Sequence, residues 1–241
     1  MTDRAEAAAA AAAADVPRRL AVAGRILAAE GCAPGVGGQL SVRDPVGRGF
    51  FAVGFDLLGA VRPDAVALID DDLQLLRGEF RLPAAMGTHA QLYRRRPDVG
   101  AIVHLHAPNV AALSATRQLV GMHHVSAVLF AGEQVLHVDD GTAPHSAVVD
   151  TLGDRHVAIM ANHGALVVAG TLERAVVEAV TLEFCAGIQL ACAAAGGGTE
   201  IDPAEVEAGR RSFAPLHLDH SWAAFEARAL GDHPELRTAA P

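Results

Sequence analysis

Residues 17–30, "PRRLAVAGRILAAE", place Leu20, Ala23, Ile26 and Leu27 at the spacing of one helix face, with Asp15 and Pro17 as the start signal. The alanine-rich leader before it, to about residue 15, reads as a frayed or flexible segment ahead of a single domain over 16–241. "GCAPGVGG" breaks the helical period. Four short runs of strand character follow, "QLSVRD", "FFAVGF", "AVALID" and "LQLLRGEF", divided by turn residues such as Asp44-Pro45 and Asp70-Asp71-Asp72. "AAMGTHAQLYRRR" returns to the helical period. It carries Arg94, Arg95 and Arg96 in its last turn, and Pro97 stops it. The arginine trio suits an anion, or simply a solvated helix end. "VGAIVHLH" then predicts a buried strand, "NVAALSAT" a short helix and "VGMHHVSAVLF" another extended run. "TAPHSAVVDTLG" predicts a helix, and "VAIMA" and "ALVVAG" predict strands. "TLERAVVEAVTLEFCAGIQLACAAAGGG" is a long helix ended by glycines, and the tail supplies one or two more. Strands in the middle with helices before, between and after predict a three-layer α/β/α domain.

Composition narrows this picture. A chain of 241 residues is long enough for one domain with a full core, and 51% hydrophobic with 4% aromatic residues makes that core mainly Ala, Val and Leu. A net charge of −9 gives no reason to expect nucleic acid or an anionic membrane as partner. No uninterrupted apolar run reaches the roughly 18 residues of a membrane span. The N-terminus also lacks the Leu/Val-rich centre of a signal peptide, so a cytoplasmic location is expected. Cys32, Cys185 and Cys192 have no zinc-ribbon spacing and read as core thiols. All 19 basic residues are arginine. Carbonyl chemistry through a Schiff base needs a lysine amine, so that route is closed. Enolate or carbanion chemistry here requires a metal or an organic cofactor.

The histidines offer the metal. In a strand, residues two apart share a face and lie about 7 Å apart at the backbone, so His104 and His106 can converge while Leu105 points into the core. His163, in "MANHGALVVAG", ends an apolar strand next to Gly164, where the backbone can turn sharply. Alone, an HxH pair is more often two polar residues near a strand end, and His163 a turn residue. Together they supply the three protein ligands that catalytic zinc sites commonly use beside an open position.

These residues also carry a resemblance. "RPDVGAIVHLH", then "ANHGALVVAG" about sixty residues later and the long "TLERAVVEAVTLEFCAGIQL" helix, resembles the class II aldolase/adducin superfamily from about residue 17 to about 195. "GGQLSVR" stands where that family has a Gly-Asn-x-Ser motif. The resemblance implies a nine-stranded, mostly antiparallel central sheet between helices, and a divalent metal on His104, His106 and His163. It also implies a homotetramer with active sites between subunits.

The departures bear on substrate. The family's sugar-phosphate aldolases carry an acid/base carboxylate four positions before the histidine matching His89; here that position is Ala85. Glu79 is the nearest carboxylate, either a replacement or a surface residue at a strand end. The family's phosphate donors change too: Gln39 replaces the asparagine, the Ser-Gly is replaced around "VGFD", and Ala84 and Ala85 stand where serines are found. Gln39, Ser41, Arg43 and His89 are the residues expected on the substrate side. Arg43 suits either a substrate carboxylate or a brace of the fold. The aldolases' tyrosines are missing, since the only tyrosine is Tyr93. "GMHHV" offers His123 or His124 as general acid or base instead, or as strand histidines without a role.

Two chemistries suit such a centre. One is a lyase in which the ion polarises a carbonyl during carbon–carbon cleavage of a small, non-phosphorylated carbonyl substrate. The other is a non-heme Fe(II), O2-dependent oxidative decarboxylation of an aryl 2-oxo or 2-hydroxy acid. That second chemistry belongs to a divergent branch, similar to this chain, that includes enzymes of aminocoumarin antibiotic pathways acting on prenylated arylpyruvates. A non-catalytic scaffold, as adducin is, is the third reading. The lyase is the expectation, with Zn or Fe(II) as metal and Mn or Co suiting the same donors.

Overall fold

In the computed structural model of the chain, the described residues are 3–54, 56–79, 83, 85–139, 144 and 146–237. Ala84 and Phe55 of the sequence argument lie outside them. Among the described residues one eight-stranded sheet forms the middle layer. Its strands are β1 (Gln39–Arg43), β2 (Phe50–Ala52), β3 (Ala67–Ile69), β4 (Leu75–Arg77), β5 (Ala101–Leu105), β6 (Gln134–His137), β7 (Val157–Met160) and β8 (Gly164–Ala169). They run in the order β4-β3-β2-β1-β5-β8-β7-β6. All neighbours are antiparallel except β6 with β7. The mostly antiparallel α/β/α expectation holds, with eight described strands in place of nine.

The helices are α1 (Asp3–Ala29), α2 (Met86–Arg95), α3 (Pro108–Ala115), α4 (Ala147–Leu152), α5 (Leu172–Ala194) and α6 (Pro203–Asp232). The period of two in β5 divides the core: Val103 and Leu105 pack with α1, α3, α5 and α6, whereas Ile102 packs with α2 and α4. His104 therefore faces the α2–α4 layer.

Two sequence expectations change. The first helix begins at Asp3 and runs through Pro17, rather than starting there. Alanine is the best helix former, and Ala13 and Val16 are already buried, so tertiary packing continues the helix across the proline. "VGMHHVSAVLF" is no strand: Val125–Phe130 forms a 3-10 turn, capped by the His124 ring, whose Nδ1 accepts from the Ser126 N–H at 3.1 Å. The strand of that region is β6, slightly later. Helix α5 has a window of mean hydropathy 1.6, long and apolar enough by composition to cross a membrane. It instead packs against β5, β8, α3 and α6 in the core.

Helix α5 also holds the chain that leaves β5. The Glu183 carboxylate, buried, accepts from the N–H groups of Asn109 and Val110, both at 2.9 Å. These are unpaired donors of the first turn of α3, and a carboxylate suits that end of a helix. Glu183→Ala is expected to lower the unfolding free energy by roughly 1.5–3 kcal/mol, the range for hydrogen bonds to charged groups. A shift of the urea midpoint at constant slope checks this, and an unchanged midpoint counts against the carboxylate as the anchor of α3.

Candidate metal centre

Strand β5 lies between β1 and β8, and its register sets His104 opposite Gln39 on one side and Leu166 on the other. His106 stands just past the strand's end. His163 occupies the turn between β7 and β8, where His163 N–H donates to the Met160 carbonyl at 3.0 Å and Asn162 takes a positive φ of 58°. Gly164 is required beside it, because a Cβ there would stand 2.2 Å from the Leu105 carbonyl oxygen. The close approach of β8 to the end of β5 brings the third histidine over the first two.

The three rings meet through their Nε2 atoms. His104 Nε2 lies 2.9 Å from His106 Nε2 and 3.2 Å from His163 Nε2. The ligand atoms all fall within 4.8 Å of one another. Two nitrogens about 2.0–2.1 Å from one ion, at angles of roughly 90–109°, stand about 2.9–3.4 Å apart, so the spacing fits a single divalent ion. Burial, then the neighbouring histidines, pushes the His104 pKa well below its ordinary value. Burial, then His163, lowers that of His106. Both rings are thereby held neutral, the form that ligates.

The triad opens into a cavity of about 290 Å³. Its polar lining includes Gln39, Thr88, His137 and Asp139; Pro83, Val148, Met160 and Leu166 make it apolar elsewhere. Ala85, at the start of α2, lines it without a carboxylate. Asp139 and His137 follow from β6, a strand that the sequence reading missed. The short apolar stretch "QVLHV", bounded by Gly132 and Asp139, was the available signal for both.

Each remaining candidate has a definite place. Gln39 is buried on the cavity wall, and its Oε1 has no partner among the described residues. His89 is fully buried and kept neutral, its pKa lowered to about 3 by burial. Its Nδ1 pairs with Ser41 Oγ at 2.7 Å, and Ser41 Oγ also meets the Tyr93 hydroxyl at 2.8 Å. Ser41 and His89 thus form a layer behind the cavity rather than its surface. Arg43 is a brace: its Nε donates to the Val99 carbonyl and one terminal nitrogen to the carbonyls of Tyr93 and Arg96, all at 2.9 Å. It ties the end of α2 to the entry of β5 and is spent there. Arg94, Arg95 and Arg96 pair with Asp72, Asp150 and Asp98, so the anion reading of that trio falls.

Glu79 does not join the site. It is exposed just after β4, at the far edge of the sheet and four strands from β5. His124 packs edge-on against Phe184 of α5, with ring centres 4.9 Å apart, in the layer opposite the cavity. His123 neighbours it, beside Gly121 and Gly198. Within one chain neither reaches the triad, so a role for either requires a second copy.

His163→Ala in zinc-loaded protein is expected to reduce bound metal from near one ion per chain to a small fraction, with the circular dichroism spectrum preserved. Single alanine variants of His104 and His106 should behave alike. Unchanged metal content by mass spectrometry in all three would remove the site.

Comparison with known proteins bears on family and fold. Residues 18–190 match the family described as Class II Aldolase and Adducin N-terminal domain. A 3,4-dihydroxyphthalate decarboxylase from Arthrobacter keyseri is 28% identical over 198 residues, covering 74% of this chain and 79% of that protein. The 4-hydroxy-3-prenylphenylpyruvate oxygenase/4-hydroxy-3-prenylbenzoate synthase of Streptomyces roseochromogenus subsp. oscitans is 30% identical over 190 residues, covering 74% and 67%. Among solved structures, an L-fuculose 1-phosphate aldolase from Glaciozyma antarctica PI12 superposes with a TM-score of 0.85 at 24% identity, covering 94% and 93%, a likeness of fold. With most of its length matching the family, and the same α/β fold, this chain belongs to the class II aldolase and adducin family.

Proposed function

We propose that this protein is a divalent-metal-dependent lyase that cleaves a carbon–carbon bond beside a carbonyl group in a small, non-phosphorylated substrate. Within that class, decarboxylation of a hydroxylated aromatic acid is the reaction we assign. The observation that carries the reading is a histidine triad opening into a largely apolar cavity with no arginine among its described lining residues. A phosphate dianion is normally held by cations or converging donors, and the chain has no lysine to supply one. Apolar walls from Val148, Met160 and Leu166 suit the faces of an aromatic ring. The two relatives named above support the choice, one a decarboxylase of a dihydroxylated aromatic acid and the other an enzyme of a prenylated arylpyruvate.

His104, His106 and His163 would hold the ion, which supplies Lewis-acid polarisation of a substrate oxygen. Zinc and Fe(II) both suit three imidazoles, and Mn or Co would bind the same donors. The protein's own part is to orient the acid against Gln39 and the α2 end, and to exclude water with the apolar wall. We place the working form as a homotetramer with sites between subunits, where a neighbouring copy would be needed to bring His123 or His124 to a cavity, and its location as cytoplasmic.

A second reading is favoured by the name of the prenylphenylpyruvate relative: Fe(II) on the same triad with O2 as co-substrate. One experiment separates the two. Zinc-loaded protein under argon and Fe(II)-loaded protein in air are each given 3,4-dihydroxyphthalate and 4-hydroxy-3-prenylphenylpyruvate, and CO2 is measured. Release with zinc under argon is expected. Turnover confined to iron and oxygen would install the oxygenase instead, and no turnover together with no metal uptake would leave the scaffold reading.

Sugar phosphates of the fuculose type are expected to be poor substrates. Each lost charge-assisted donor to phosphate costs roughly 1.5–3 kcal/mol, or about 10- to 150-fold in affinity. Cleavage of L-fuculose 1-phosphate at ordinary aldolase efficiency contradicts the assignment.

A further inference from the structure

The proposed reaction has a proton to deliver, and Ala85 leaves α2 without the carboxylate that would handle it. The cavity holds another group suited to the work. His137 ends β6 with its ring on the cavity lining, close to fully buried. Its Nδ1 lies 2.9 Å from the Thr151 hydroxyl on α4. Thr151 in turn is placed to give its proton to the Ala147 carbonyl, one helical turn back, at 3.4 Å. A hydroxyl has one proton, so a Thr151 that donates to Ala147 accepts from His137 Nδ1–H. That arrangement keeps a proton on Nδ1 in both charge states of the ring. Nε2 is then the atom that gains and loses the proton.

We propose that His137 is the acid/base residue of this site, exchanging a proton with bound substrate through Nε2, and that Thr151 is the positioning residue that fixes its tautomer. The assignment rests on the decarboxylase reading for its chemistry. In that reaction the His137 imidazolium gives its Nε2 proton to the ring carbon that bears the carboxylate, as the electron pair of the neighbouring phenolate enters the ring. The ring–carboxylate bond then breaks, its electron pair restores the aromatic ring and the phenolate, and CO2 departs. Neutral His137 regains a proton from water. The net change is one aromatic carboxylate plus one proton giving the arene plus CO2.

Other charged or titratable groups facing His137 are few among the described residues. Asp139 lines the same cavity two positions along the chain, and His104, His106 and His163 stand across it. Strand β7 presents Met160 opposite His137, and Asp150 of α4 is turned outward to Arg95. Asp139 has partners of its own and shares the cavity, so its variants belong in the same comparison.

The test has a spectroscopic arm and a kinetic arm. In zinc-loaded protein carrying ¹⁵N-histidine, long-range ¹H–¹⁵N spectra report each ring's tautomer, and His137→Gln identifies the His137 signals. The neutral ring should be the Nδ1–H form, and Thr151→Val should shift it toward the Nε2–H form. Adding 3,4-dihydroxybenzoate, the acid left when 3,4-dihydroxyphthalate loses the carboxylate next to its hydroxyl, should move the Nε2 resonance. An Nε2–H ring in the wild type, or no response to that acid, overturns the assignment.

In the kinetic arm, His137→Gln is expected to slow CO2 release from 3,4-dihydroxyphthalate by roughly 10²–10⁴-fold while metal content stays unchanged. The acid form is the active one, so the wild-type rate should fall toward high pH, and that limb should vanish in His137→Gln. Thr151→Val should lose part of the rate and displace the limb, which a merely structural contact would not do. Wild-type rate and limb in His137→Gln overturn the proposal, whereas loss of the limb in Asp139→Asn alone would transfer the role to Asp139. If the wild type releases no CO2 from this acid, the functional reading fails, and the spectra decide the His137 assignment alone.

Discussion

The register of β5 between its two antiparallel neighbours is the constraint on which the site depends. His104 faces the cavity because Val103 and Leu105 face the opposite core, and Gln39 and Leu166 are its partners across the two ladders. A slip of one residue would exchange the faces. It would drive an imidazole among Leu, Val and Ala and bring Val103 to the cavity, at a cost in unpaired polar groups that no local adjustment repays. The apolar residues on both faces of β5 therefore specify the position of the candidate metal ligands. Gly164 completes the constraint from β8, since any side chain there would collide with the Leu105 carbonyl and lift His163 away.

Behind the cavity a polar layer keeps this geometry stiff. Ser41 Oγ pairs with His89 Nδ1 and with the Tyr93 hydroxyl in a region with almost no solvent contact, and Arg43 closes the layer by capping three carbonyls around the end of α2. Two atoms of this wall, Gln39 Oε1 and His89 Nε2, have no partner among the described residues. A buried polar atom left unpaired costs about 1–3 kcal/mol, and such exceptions in folded proteins usually mark a functional site or an ordered water. Of the two, Gln39 Oε1 borders the cavity, where an occupant with a hydroxyl group would find it unmet.

The legible parts of the sequence were those that local periodicity governs. His104 and His106 are read together because the strand period is two, and His163 is marked by the glycine that its tight turn demands. The long α5 helix and the antiparallel strands around β5 follow from the same patterns. What escaped depended on contacts distant in sequence. Strand β6 is four residues long and gains its place by parallel pairing with β7, so "QVLHV" shows little alternation, and His137 and Asp139 were hidden with it. His124 sits in an apolar run that reads as a strand, yet its ring caps a 3-10 turn. Arg43 kept two readings in the sequence because its carbonyl partners at Tyr93, Arg96 and Val99 are assembled only by folding. Glu79 looked near to the site along the chain, but the sheet order carries it to the opposite edge.

The charge distribution gives the cavity its chemical character. The chain's cations are all arginine, and many are committed elsewhere: Arg18 to Asp15, Arg48 to Asp44, Arg94 and Arg96 to Asp72 and Asp98, Arg174 to Glu178, and Arg43 to carbonyls. The described lining instead carries His104 and His106, held neutral by burial and by their neighbours, together with His137, His163 and one carboxylate, Asp139. With no fixed arginine in its described lining, the site's attraction for anions rests on whatever charge the triad holds. An anion bound under those conditions is drawn toward the triad rather than clamped at a distance from it, as a phosphate would be by a basic pocket. On the proposed decarboxylase reading, a carboxylate attached directly to the reacting carbon would meet that requirement, because the group recognised would also be the group that leaves.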